Sequence, residues 1–337
     1  MYNQKKYSLK MCATAMTIGL LLASGAFAQS EKSGPLSDSE RSSVMFDLNL
    51  KKIRNHPLMK DFDINQAMAQ SGIPANQDIN ITKVNRIFGG IQLPTDPSAM
   101  QVMPGTDLPI NFFVRIKFED SETANEMMDS VKEKGSKTHE LNGKTYFSPD
   151  DGQTPPNLRL HKVDDTTVEM GTERYVMLKD RNVNSKPLSQ YWAQVPKSSA
   201  IRLSVDLESN REMIDQVVEM AKANAPSDAA PYLRLLGDLA GLTLGIDFES
   251  ETMLMLRASG KDEAATEKLS SGIDGILGLG RFFGGQSLSN APLDDAAKGV
   301  FKDVLDSLKA NTDGNVVNVD IKKPSEFDKV VGDLMNK

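Results

Sequence analysis

Phe112–Met128 reads FFVRIKFEDSETANEMM, and 140 positions later Thr252–Lys268 reads TMLMLRASGKDEAATEK. Each segment opens as a strand, turns polar at Glu119-Asp120 or Ser259-Gly260, and then starts a helix on acidic residues and alanine. In the first, Phe112, Val114, Ile116 and Phe118 alternate with Phe113, Arg115 and Lys117. Successive strand side chains point to opposite faces, so this period of two predicts a strand with one buried face. In the second, Met253 and Met255 stand beside Leu254 and Leu256, apolar on both faces, which predicts a more central strand. The helices match best one residue out of the strand register, with Ala124 and Met128 against Ala265 and Leu269. The pair reads as a distant internal duplication.

A second correspondence extends the pattern. Val44, Phe46, Leu48 and Leu50 alternate with Met45, Asp47 and Asn49, and 157 positions later Ile201, Leu203, Val205 and Leu207 alternate with polar partners. After the later strand, Ser209 and Glu212 have the spacing of a capping box, predicting a helix with an apolar stripe of Met213, Val217 and Met220. In the first half a strand is expected near Asn80–Phe88. Hairpins follow around Asn142-Gly143, a dipeptide suited to a two-residue turn, and around Asp164-Asp165, then a strand at Tyr175–Leu178. The second half reads as a helix from Pro231, strands at Leu242–Phe248 and Thr252–Ala258, and a helix from Lys261 towards Leu277. A glycine-rich loop, Gly278–Gly285, comes next, then a helix over Asp294–Ala310, a strand at Val316–Ile321 and a final helix after Ser325. The expected fold is α+β: two distantly similar halves, each a mainly antiparallel sheet with helices packed on one face.

The first residues carry an address. Lys5, Lys6 and Lys10 precede an apolar run from Met11 to Ala23, and Ala26-Phe27-Ala28 stands before Gln29 in the small-x-small pattern of a cleavage site. The expected division is a signal peptide over 1–28, a flexible polar leader over 29–43, and halves at 44–187 and 188–337, with NVNSKP (Asn182–Pro187) as the linker. Cleavage after Ala28 leaves 36 basic against 46 acidic residues. That balance argues against nucleic acid and anionic headgroups as main partners. It also removes Cys12, the only cysteine, and with it disulfides, thiolate metal sites and a cysteine nucleophile. No later apolar run reaches the roughly 18 residues of a membrane span.

Motifs for chemistry are sparse. Asp61-Phe62-Asp63-Ile64-Asn65 starts like a calcium loop, but Gln66 and Gly72 stand where the sharp-turn glycine and bidentate glutamate belong. His56, His139 and His161 lie far apart, without zinc-ligand spacing, and read as surface or turn residues. No serine has a G-x-S-x-G frame. The pairs Asp150-Asp151, Asp164-Asp165 and Asp294-Asp295 read as loop, turn and helix-start carboxylates, with a glycosidase-type pair as the alternative. Met100 and Met103 are the soft ligands that a copper-binding alternative would use, while Met127, Met128, Met213, Met220, Met253 and Met255 fall at core spacing.

The signal pattern, the phrase SGIPANQDIN at Ser71–Asn80, the YWAQVP segment and the duplicated plan together resemble exported proteins common in planctomycete-type bacteria. That resemblance implies export and duplication and carries over no activity. The reading is an exported, non-catalytic binding or scaffolding protein of the periplasm or envelope, with no cofactor and with a protein or envelope component as partner. Its candidate contacts are Phe282 and Phe283, which either tuck into the core or stand exposed, and Trp192, read as packing where the halves meet or else stacking on a sugar.

Overall fold

A computed structural model of the chain describes residues 36–37, 40–56, 81–93, 107–108, 110–133, 135–141, 143–150, 154–178, 183–224 and 230–335. They fall into two compact units, one within Met1–Ser42 and Asp61–Val183, the other within Ser43–Lys60 and Asn184–Lys337. Val44–Leu48 (β1) and the short helix Leu50–Asn55 (α1) thus belong with the second unit, where β1 pairs antiparallel with Ile201–Asp206.

In the first unit, β2 (Val84–Ile91) and β3 (Phe112–Phe118) pair, and α2 (Ser121–Glu133) follows β3. The chain then returns through β4 (Ser136–Leu141), β5 (Lys144–Pro149), β6 (Leu158–Asp164) and β7 (Thr167–Thr172). The strand order is β2-β3-β7-β6-β5-β4, antiparallel throughout. Local chemistry fixes the corners. The Asp120 carboxylate accepts from the Thr123 amide and hydroxyl at 2.8 Å, capping α2, whose Ala124, Met127 and Met128 are buried at helical spacing. Gly143 adopts φ +72 in the two-residue turn between β4 and β5. Past β7 the expected strand at Tyr175–Leu178 is instead a one-turn helix, α3 (Glu173–Val176). Turning there buries Tyr175 beside the Phe113 ring and lets its hydroxyl donate to the Glu40 carbonyl at 2.7 Å. Gly171 permits the approach: a Cβ there would overlap the Phe112 carbonyl and lie 2.8 Å from Val176 Cγ2.

In the second unit α4 (Lys186–Ala193) precedes β8 (Ile201–Asp206). Then come α5 (Arg211–Asn224), α6 (Ala230–Asp238), β9 (Leu239–Ile246), β10 (Thr252–Gly260) and α7 (Glu263–Ser289). The chain closes with α8 (Asp295–Ser307), β11 (Ala310–Asp313), β12 (Val316–Lys322) and α9 (Phe327–Met335). The order is β1-β8-β9-β10-β12-β11, again antiparallel, and β10 has a partner on each side, as its two apolar faces predict. Both units are therefore α+β with antiparallel strands.

Four expectations for this unit need correcting. Helices lie on both faces of its strands. Val205 and Leu242 pack with Ile214, Leu235 and Leu269 from α5, α6 and α7, whereas Arg202 and Asp206, of opposite parity on β8, meet α4. Gly241 makes room for α4, since a Cβ there would overlap the Tyr191 ring. β10 runs past its expected end at Ala258 to Gly260, with a bulge between Ser259 and Gly260. Ser209 does not cap α5; its hydroxyl donates to Asp206 at 2.6 Å, Glu208–Asn210 form a 3-10 turn, and α5 buries Met213 and Val218 while Val217 and Met220 are exposed. Finally, Gly278–Gly285 is not a loop but the interior of α7.

Candidate functional site

The 27 residues of α7 start from a cap, with the Asp262 carboxylate accepting from the Ala265 amide at 2.7 Å. Ala265, Thr266 and Leu269 bury its first turns. Further along, glycine sets the packing: a Cβ at Gly272 would lie 2.7 Å from Leu235, and one at Gly284 would lie 2.7 Å from Leu305 of α8. These tight contacts keep the helix continuous across a glycine-rich sequence that, by propensity alone, favours a break. Away from them Ile276, Leu279, Phe282 and Phe283 are exposed by 43%, 48%, 58% and 59%. Ile276, Leu279 and Phe283 follow i, i+3, i+7 spacing, one stripe of a helix, and the Phe282 and Phe283 rings meet edge-on at 5.3 Å. Of the two readings for the phenylalanine pair, the structure places it outside the core.

Trp192 is engaged within its own unit. The Arg202 guanidinium lies 3.9 Å from the Trp192 ring centroid, donates to the carbonyls of Trp192 and Val195 at 3.2 Å, and sits 3.5 Å from the buried Asp47 carboxylate. Ala26, Ala28 and Gln29, the Asp61–Gly72 segment, and Met100 and Met103 lie outside the described residues. Asp294 caps α8 through the Ala297 amide, Asp164 accepts from the Thr166 amide, and Asp150 pairs with Lys137.

A polar row crosses the first unit that the sequence reading did not foresee. Ladder register sets Tyr146 beside His161, His161 opposite Glu169, Glu169 opposite Arg115, and Arg115 opposite Phe88. Residues opposed in this way share a face. Arg115 and Glu169 form an ion pair, and His161 Nδ1 stands 4.0 Å from Glu169 Oε1. His161 and Glu169 are each 1% exposed, so His161 is no surface or turn residue. Burial, helped by Lys144 and Arg115, pushes His161 down to about 4, so it is neutral near pH 7. Burial raises Glu169 above the ordinary carboxylate range despite the opposing pull of Arg115. Neither ring nitrogen of His161 has a hydrogen-bond partner. Two positions along the ladder, and so on the same face, Arg86 stands opposite Lys117, and with Phe88, Arg115 and Thr167 they line a shallow depression of about 290 Å³. The signal was present in the strand patterns: Arg159 and His161 interrupt Leu158 and Leu160, and Glu169 is flanked by Val168 and Met170.

Neither a protein-family model nor a curated protein matches the chain. Among solved structures, crystal forms III, I and IV of TP0453 align with TM-scores of 0.38, 0.36 and 0.37 at 8%, 9% and 8% identity. The alignments cover 90%, 90% and 91% of this chain and 100%, 98% and 98% of the other. The resemblance is structural and distant, and the functional reading rests on the chain's own residues.

Proposed function

We propose that this chain is an exported, non-catalytic binding protein of the cell envelope that docks a partner protein on the exposed stripe of α7. The carrying observation is the exposure of Ile276, Leu279, Phe282 and Phe283 on one helix. Water contact at such side chains is costly, and burying each one fully is worth about 1.5–3 kcal/mol. Anchors at i, i+3 and i+7 are the pattern by which a helix enters an apolar groove of a partner. Export is supported by the charged, apolar and Ala-x-Ala order of the first 28 residues. The shared strand-then-helix plan of β3–α2 and β10–α7 supports the reading of two diverged copies, since Ala124 and Met128, like Ala265 and Leu269, are buried one helical turn apart.

The test is a photo-crosslinking amino acid at position 282, activated in intact cells. A discrete protein adduct that disappears when Ile276 and Leu279 are changed to serine supports the reading. Adducts to lipid alone, or the same adducts from an exposed control position such as Glu267, contradict it.

A further inference from the structure

Arg281 lies within α7, beside the exposed stripe, and differs from the arginines elsewhere in the chain. Arg115, Arg159, Arg174, Arg202, Arg211 and Arg257 each form an ion pair with a carboxylate. Among the described residues no hydrogen bond or ion pair engages Arg281. The sequence explains why. Charged side chains on a helix meet partners three or four residues away, as Lys222 meets Glu219, Lys329 meets Glu326 and Arg211 meets Asp215. Around Arg281 those positions are Leu277, Gly278, Gly284 and Gly285, so its own helix offers no carboxylate. The nearest acidic residue on α7, Asp274, is seven places back, about 10 Å along the axis. Its Oδ1 accepts from the Ala310 amide at 3.3 Å. Acids are not scarce, since the chain has 46 of them against 39 basic residues.

The position of the guanidinium ties it to the stripe. Arg281 folds back over Gly278, its Nη2 3.9 Å from the place a Cβ of that glycine would occupy. Gly278 and Phe282 stand at i and i+4, neighbours on one helix face, so the cation borders the apolar side chains directly. Seating the stripe in a groove would therefore draw Arg281 out of water as well. A charge removed from water without a partner carries a heavy penalty, and the planar fork of a guanidinium is met best by a carboxylate. We infer that the partner docking on α7 presents an apolar groove edged by an aspartate or glutamate that pairs with Arg281. This rests on the docking reading above and adds the partner's chemistry: the four apolar side chains supply contact area, and the ion pair fixes direction and register. An anionic bilayer would also offer negative charge, but a helix that lies on one is rich in lysine and arginine along its polar face. α7 carries Glu263, Glu267 and Asp274 against Lys268 and Arg281, a balance that favours one carboxylate in a protein groove.

The test keeps the photo-crosslinking residue at position 282 of the full chain and compares Arg281 with R281K, R281Q and R281E in intact cells. K329E on α9, at an exposed lysine, is the control for a change in net charge. Circular dichroism of the purified variants checks folding. The protein adduct is expected to fall in the order Arg281, R281K, R281Q, R281E, with a loss of about tenfold or more for R281E and none for K329E. Changing one aspartate or glutamate of the crosslinked partner to arginine is then expected to restore the adduct of R281E and weaken that of the wild type. A protein adduct that R281Q and R281E leave undiminished, or a loss that no such change in the partner restores, overturns the inference while docking stands. Absence of a protein adduct in the wild type, or adducts to lipid alone, overturns the docking reading itself and the inference with it.

Discussion

β3 with α2 in one unit and β10 with α7 in the other follow the same local plan, yet they place polar and apolar residues in opposite ways. β3 turns Arg115 towards a buried carboxylate, and its helix stops after 13 residues with its apolar side chains covered. β10 is apolar on both faces, and its helix runs on for 27 residues with four large apolar side chains in water. In the first case buried charge demands a partner in a fixed place, so the geometry of the strands is specified by Arg115, Glu169 and His161. In the second, glycine contacts with Leu235 and Leu305 hold one side of the helix and leave the other side free to carry function. The contrast separates a region organised around an internal electrostatic balance from one organised around a surface.

The largest effect is expected from breaking the buried pair. Arg115→Ala leaves Glu169 buried beside a neutral His161 and is predicted to cost the first unit about 3–5 kcal/mol at neutral pH. Glu169 already has a raised folded-state pKa, so the loss shrinks as pH falls and the carboxyl protonates. Urea unfolding at pH 7.5 and 5.0, followed for each unit, checks both the size and the sign. No single change on the exposed face of α7 is expected to come near that cost.

His161→Leu sharpens the same point through pH. The folded His161 titrates at about 4, below its ordinary value of 6.5, so on acidification the unfolded chain takes the proton first. The wild type therefore loses stability as pH falls from about 6.5 towards 4, by up to roughly 3 kcal/mol from this residue. The leucine variant lacks that loss, and its stability relative to wild type rises between pH 7.5 and pH 5.0. A constant difference across that range would show that His161 is not held neutral by burial.

Within α7, glycines are predicted to differ in how well they tolerate a methyl group. Nothing lies within 4 Å of a Cβ at Gly275 or Gly280, so alanine there stabilises the helix by about 0.5–1 kcal/mol each. At Gly272 the same change brings a methyl 2.7 Å from Leu235 and gives a smaller gain or a net loss. Thermal unfolding of the three single variants ranks them. The smallest effect is expected from Phe282→Ser with Phe283→Ser, within about 0.5 kcal/mol of wild type because both side chains are exposed. A large loss there would mean that the stripe is structural.

Strand alternation made most of the architecture legible. Val44–Leu48, Phe112–Phe118 and Ile201–Asp206 fall where the period of two places them, and the Asn142-Gly143 hairpin pairs Leu141 with Lys144. The misreadings have a common cause, which is that tertiary contact outweighed local preference. Gly278–Gly285 reads as a breaker, but the contacts of Leu235 at Gly272, ahead of that stretch, and of Leu305 at Gly284, within it, keep it helical. Tyr175 has strand propensity, but its hydroxyl needs the Glu40 carbonyl, and a helical turn delivers it. The pair Phe282-Phe283 stood out in the sequence as apolar residues in a glycine-rich stretch, with burial in the core and exposure both open. The row through His161, Glu169 and Arg115 did not, because its members come from three strands and meet only through ladder register.

Docking on α7 is tested most directly by solvent access at one position. Phe283→Cys, in a chain whose own Cys12 is replaced by serine, gives a single thiol on the exposed stripe. Its rate of modification by a maleimide is measured in the purified protein and in intact cells. Fast modification when purified and at least tenfold slower modification in cells is the predicted result, with an exposed control cysteine at Glu267 reacting alike in both. Equal rates at position 283, or slow modification already in the purified protein, would contradict the assignment of this face as a docking surface.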